Sequence, residues 1–240
     1  MKPTGKYGGR FPGTPVNERL AARQQEMVRE IIRGSKTADK ALELAINALV
    51  WADHLVFRFE SENPLPHPIA CHAGCHFCCF NQIELTPPEA LLIGHHVDRH
   101  FSQEDKQRLL DHVDLTLIKM SGQSKIELAR LRRDLPCPLL KAGRCSVYPV
   151  RPLLCRAMHS LNAAQCEQEL ASPDLTVVAY YAHRDEIIIS LAAGLLEGCE
   201  ALGCQSRPVN LVRALRDFFT QARCLERWLE GEQVFGEGED

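Results

Sequence analysis

At 240 residues the chain is long enough to bury a sizeable core without disulfide staples. Charged residues make up 25% and hydrophobic residues 45%, an ordinary balance for a globular protein, and a formal net charge of −3 gives no electrostatic pull on nucleic acid. Residues 1–13 contain no apolar leader, and the longest apolar run, around Ile187–Leu196, is far short of the roughly 20 residues that span a bilayer, so the expectation is a cytoplasmic protein with no membrane or nucleic-acid partner.

In chain order, residues 1–13 read as a flexible tail. Thr14-Pro15 offers an N-cap and a first-turn proline for a helix whose stripe is Val16, Leu20, Met27 and Ile31 and which Gly34 stops. A second helix opens near Thr37, with Leu42, Ala45, Leu49, Ala52, Val56 and Phe59 recurring every three or four positions as a buried face. Together these predict an N-terminal helical hairpin over 14–62. Asn63–Pro68 then delivers an extended chain into a metal-binding domain over 63–170.

Inside that domain Ile83 and Leu85 suit a very short strand, and Thr86-Pro-Pro-Glu89 is a capping box opening a helix to about Phe101. Ser102 and Asp105 open the next helix, to Met120, and a short one covers Ser124 to Arg133, with Arg130, Arg132 and Arg133 on a solvated face. Gly143 marks a turn between two short extended pieces, and Pro152 suits the first turn of a helix carrying Cys155. Two long C-terminal helices follow over 171–230, one from Ser172-Pro173 to about Leu196, the other from Asn210 to Leu229. Residues 231–240 read as an acidic tail without structure. The predicted fold class is all-α, mostly helical, around a small irregular Cys-rich metal-binding core with at most a short hairpin.

The chemistry lies in the cysteines. Four of the eleven fall within nine positions as Cys71, Cys75, Cys78 and Cys79, which is the concentration of ligands and not the scatter of buried thiols. In a reducing compartment thiolate ligation is the better reading than disulfides. The C-x3-C-x2-C spacing lets Cys71, Cys75 and Cys78 converge, whereas Cys79, adjacent to Cys78, points elsewhere and addresses a second metal of a polynuclear centre or packs beside the first. Cys137, Cys145 and Cys155 supply the remaining ligands, with Cys79 and Cys166 second in rank. Wide spacing among the later cysteines suits an iron–sulfur cluster, which spreads its ligands over several irons, better than paired zinc knuckles, but zinc stays open.

Arg144, Arg151 and Arg156 lie beside these cysteines, where a guanidinium lowers thiol pKa, unless each simply pairs with a surface carboxylate. Tyr148 packs over the centre or fills the core. His72 and His76 flank the ligands and either replace a thiolate or hydrogen-bond to sulfur. His96 and His100, at i and i+4, read as a solvated face; Cys199 and Cys204 bracket a turn that would serve a second site if it folded back; Cys224 reads as inert. Neither a Ser/His/Asp set nor a paired-carboxylate set stands out, so hydrolysis has no support.

The string from Cys71 to Cys79, Thr86-Pro-Pro-Glu89, Cys137-Pro-Leu-Leu, Gly143-Arg-Cys145, Val147-Tyr148 and Arg151-Pro-Leu-Leu-Cys155-Arg156 resembles the zinc- or iron-chelating CxxxCxxCC cysteine-cluster family, the YkgJ-like proteins, over about residues 65–170. The module is also similar to that of flagellin lysine-N-methylases, a likeness that implies an iron–sulfur cluster coupled to methyl transfer from S-adenosylmethionine onto a protein lysine; no glycine-rich methyl-donor loop accompanies it here. The triplet Cys71, Cys75 and Cys78 with Phe77 also resembles the radical S-adenosylmethionine signature, but without the strand–helix alternation those enzymes need. The expectation is a metal-binding protein working with a protein partner or substrate. Redox or metal handling stands first, with methyl transfer or a zinc-stabilised binding module as alternatives.

Overall fold

The computed structural model describes residues 14–171 and 179–236. The described chain is mostly helical, with two tiny antiparallel sheets, as expected for the fold class. No described helix is long and apolar enough to cross a membrane.

The helix α8 (Ala182–Ala201) is the axis of the fold. Ile188, Leu191, Ala192, Leu195 and Leu196 are all at most 1% exposed, so it is apolar nearly all round, as a helix covered on every side must be. Against it lie α1 (Glu18–Ile32) and α2 (Ala38–Glu62). The first helix departs from expectation at its start and in its face. Its N-cap is Asn17, whose side chain accepts the Leu20 amide at 3.3 Å, not Thr14. It buries Ala21, Val28 and Ile32 in place of Leu20, Met27 and Ile31. The reason lies on α8: a Cβ on Gly194 would come within 2.8 Å of the Ala21 carbonyl carbon, and one on Gly198 within 2.7 Å of Val28 Cβ. Two glycines let the backbones approach closely, and the small face of α1 fits there.

The second helix buries Leu42, Ala45, Leu49 and Ala52 as its periodicity predicts, while Phe59 sits at the rim, stacked on His183 at 4.4 Å. At its C-terminal end Glu60 accepts Arg184 Nε and Nη2 at 2.6 and 2.7 Å, joining α2 to the first turn of α8. The helix α3 (Pro87–His100) begins with both halves of the Thr86–Glu89 capping box, and α4 (Gln103–Met120) and α5 (Lys125–Leu131) are capped by Ser102 and Ser124.

Strand β1 (Glu84–Leu85) pairs antiparallel with a later strand at Val209–Asn210 that the sequence reading did not anticipate. Strands β2 (Leu140–Lys141) and β3 (Arg144–Cys145) form the hairpin expected at Gly143; Ala142 and Gly143 both take left-handed backbone, φ 51° and 73°, as a two-residue hairpin turn requires. The short α6 (Leu153–Ala157) follows Pro152 and packs on α8, and α7 (Ala163–Ala171) packs on a 3-10 turn at Phe77–Phe80.

Three expectations are corrected here. The last stripe is two helices, α9 (Leu211–Thr220) and α10 (Cys224–Leu229), broken where Arg223 turns left-handed at φ 56°. Residues 231–236 belong to the fold: Val234 and Phe235 are 0% and 1% exposed, and the Gln205 side chain bonds both their amides and the Phe235 carbonyl. Arg132 is not solvated; its side chain is 9% exposed and pairs with Glu169 at 3.2 Å. The Ser172-Pro173 helix start and residues 1–13 and 237–240 lie outside the described residues.

Candidate metal centre

The first cysteine loop is positioned from both ends. Before it, Ala70 N–H donates to Ser160 O at 2.9 Å; within it, Cys75 N–H donates to His72 O at 3.0 Å across the left-handed Gly74. The 3-10 turn then presents Cys78 and Cys79 in succession. The two halves of the module are joined at the backbone, because Cys137 N–H donates to Cys79 O at 2.7 Å. From Cys137 the chain enters the hairpin, Leu140 N–H returning to Cys137 O at 2.9 Å, and β3 brings Cys145 opposite Leu140. The hairpin tip faces the first loop: a Cβ on Gly143 would lie 3.5 Å from His76 Nδ1.

The helix carrying Cys155 is fixed by Glu89. This carboxylate, 2% exposed, accepts Thr86 N–H and Oγ1–H at 2.8 Å each through one oxygen and Leu153 N–H at 2.6 Å through the other. One acid therefore caps α3 and holds the first turn of α6. Burial pushes its carboxyl up, and the three donors oppose that. Cys166 is placed by a separate device. Asn162 Oδ1 accepts Ala164 N–H and Gln165 N–H at 3.0 and 3.3 Å to start α7, and the Arg132–Glu169 pair anchors that helix further along.

The eight candidate thiols thus share one region. Burial, and then the neighbouring thiols at Cys75, Cys78 and Cys166, push the Cys71 thiol up. A hydrogen bond with Cys78, and then burial, push Cys79 up. Burial pushes Cys137 up to about 12, with Cys145 and Cys78 adding to the effect, and raises Cys155 well above the ordinary thiol range, with Cys137, Cys78 and Cys145 adding. Cys145 is raised by burial and drawn back down by Arg151. Buried thiols that repel one another's charge need a cation to become thiolates, and an all-sulfur donor set selects a thiophilic one, so the residues fit a zinc or iron centre. Among the described residues no group of three or more His, Cys, Asp or Glu side chains stands as a set that could hold a metal ion, so gripping one requires the sulfurs to close in.

The flanking residues divide. Arg151 acts on Cys145 and Cys155 and lies 4.4 Å from the Tyr148 ring centre, as a guanidinium tuning thiols would. Arg156 pairs with Asp53 and donates to Arg151 O and Pro149 O at 3.1 and 3.0 Å, so it braces the loop. Arg144 lies on β3. Tyr148, 57% exposed, is not core filler. His72 and His76 turn their Nδ1 atoms to the carbonyls of Ala73 and Gly74, at 3.0 and 2.9 Å. Cys199 and Cys204 are buried at the end of α8, and Cys224 is buried where α9 meets α10. The His96 and His100 rings lie 4.4 Å apart on α3, tilted by 42°. Glu89's reach to Leu153, the Asn162 cap and the Arg132–Glu169 anchor escaped the sequence reading; the capping box and the Asn before a helical run were the visible traces of the first two.

A knot of thiol-bearing loops clasped by helices defines a metal-binding cysteine-cluster protein. Residues 70–174, which hold all eight candidate cysteines, match the model of the CxxCxxCC family, described as "Putative zinc- or iron-chelating domain". Comparisons with curated proteins and with solved structures gave no match.

Proposed function

We propose that this protein is cytoplasmic, holds an iron–sulfur cluster on these thiols, and uses it with a protein partner in electron transfer or metal handling. The observation that carries the reading is the donor set. Four separate pieces of chain (the first loop, the hairpin, α6 and α7) contribute sulfur to one region. Unequal spacing along the chain suits a cubane cluster, which takes one cysteine per iron, better than zinc knuckles. The exposed Cys71 supports exchange with a partner, since electrons or metal must enter from the surface.

The test is metal and acid-labile sulfide content of protein purified without oxygen. Iron and sulfide in about equal amounts, with a brown colour that bleaches in air, are expected. Zinc without sulfide would refute the iron–sulfur reading and leave a zinc-stabilised module. Brown protein that also bound S-adenosylmethionine would redirect the function to methyl transfer.

A further inference from the structure

We infer, building on that reading, that His159 and Tyr181 are positioning residues for the first cysteine loop, and that their grip holds only while the His159 ring is neutral. The chain enters that loop through Pro64-Leu-Pro-His67-Pro68, where the prolines carry no amide proton and Leu65 and His67 supply the only backbone donors. Pro68 favours extended backbone at His67, in which N–H and C=O turn to one side. Both meet one phenol: Tyr181 Oη accepts the His67 amide at 3.0 Å and donates to its carbonyl at 2.7 Å. Further on, the Ala70 amide donates to Ser160 O at 2.9 Å, and Cys71 follows directly.

Tyr181 is in turn fixed by His159, which is 6% exposed. The Tyr181 amide lies 2.7 Å from His159 Nε2, and the Ala157 carbonyl lies 2.6 Å from its Nδ1. An amide N–H only donates and a carbonyl only accepts, so Nε2 offers its lone pair and Nδ1 carries the proton. The ring is therefore held neutral in one tautomer. It lies nearly parallel to the Tyr181 ring, 10° apart in plane and 6.0 Å between centres. A proton on Nε2 would set two donors against each other at 2.7 Å; that frees Tyr181, the residue before α8, and with it the strap on His67.

The surroundings set where the ring titrates. Burial holds its pKa below the ordinary histidine value, and Arg184 and His183 from the first turn of α8 act the same way; the Ala157 carbonyl and Glu60 of α2 act against them. Tyr180, edge-on to the ring at 6.2 Å, is the other ionisable group beside it. The strap is closed near neutrality and opens as pH falls through that lowered value. Cys71, the exposed thiol of the module, lies just beyond the strapped segment, so the loop that meets solvent is the one the strap restrains.

The experiment is amide hydrogen exchange on the full chain, with and without metal, at about pH 7 and about pH 5 and corrected for intrinsic rates, in wild type, Tyr181→Phe and His159→Gln. Losing one or two hydrogen bonds is expected to speed exchange roughly 5- to 30-fold. The wild type shows that rise at His67 and Tyr181 only in acid, and Tyr181→Phe shows it at His67 under both conditions. In His159→Gln, whose side-chain oxygen accepts a hydrogen bond but does not titrate, the acid rise disappears. Near neutrality a chelator strips metal from Tyr181→Phe faster than from the wild type by a similar factor. Wild-type protection of His67 in Tyr181→Phe, or an undiminished acid rise in His159→Gln, overturns the strap. A loosened Tyr181→Phe that keeps its metal as long as the wild type overturns its bearing on the site. A wild type that takes up no metal overturns the proposed function instead, and exchange on the metal-free chain still decides the strap.

Discussion

Glu89→Ala is the most informative single change outside the cysteines. The carboxylate accepts three hydrogen bonds, from Thr86 N, Thr86 Oγ1 and Leu153 N, in a site 2% exposed. Removing it strands two buried amides and forces a hydroxyl to find a new partner. At about 1–3 kcal/mol for each orphaned buried group, the loss is roughly 3–6 kcal/mol. For a chain of this size each kcal/mol moves the melting point by roughly 2–4 °C, so the expected drop is roughly 6–24 °C. Glu89→Gln retains one carbonyl oxygen, serves either Thr86 or Leu153 but not both, and should fall about midway. Differential scanning calorimetry of both variants measures this, and chelator challenge of the same samples reads the site. If Leu153 holds the Cys155 helix in place, metal escapes faster from both. An Ala variant melting within about 2 °C of the wild type would refute the bridge, as would one that melts low but holds metal as tightly as before.

Two further outcomes follow from the helix contacts. The Arg184 guanidinium beside Glu60 holds that carboxyl below its ordinary value, so the stability it adds is present above the ordinary carboxylate range and is lost as pH falls through the depressed value. Glu60→Gln should therefore lower stability by about 1–3 kcal/mol near neutrality, with the gap closing in acid; a pH-independent gap in urea titrations would count against the pairing. Gly194→Ala drives a methyl into the Ala21 backbone and Gln24 Cβ, the latter at 2.8 Å, and should cost about 1–3 kcal/mol by overpacking, measured by denaturant midpoint. A stabilised Gly194→Ala would show that α1 can move aside freely.

What could be read in advance was what is local. Ser102, Ser124 and the Thr86–Glu89 pair act within three residues, so their chemistry marks the helix starts directly. The hairpin at Gly143 is equally local. Other features depended on residues far along the chain. Nothing near Glu89 announces that its second oxygen serves an amide 64 positions later. Leu20, Met27 and Ile31 make a more apolar stripe than Ala21, Val28 and Ile32, yet the second set is buried because Gly194 and Gly198 accept only close, small surfaces. Val234 and Phe235 sit in a run of Gly and Glu that reads as solvated, and the amide of Gln205 draws them in. For the site, ligand-rich clustering was evident, but the membership of Cys166 rests on a cap and an arginine anchor, Arg132, that look like ordinary surface residues in one dimension.

The clasp of the first helix on α8 has a topological consequence. Asn17 N–H meets Ser190 Oγ at 2.8 Å across 173 positions of chain, so the cysteine module is threaded on a closed ring whose ends are already tied. Cross-linking sulfurs within such a ring shortens the slack between its ends, and the chain entropy lost on closing a loop falls as the loop contracts. An ion bound near the middle would thereby tighten a helix pair it never touches.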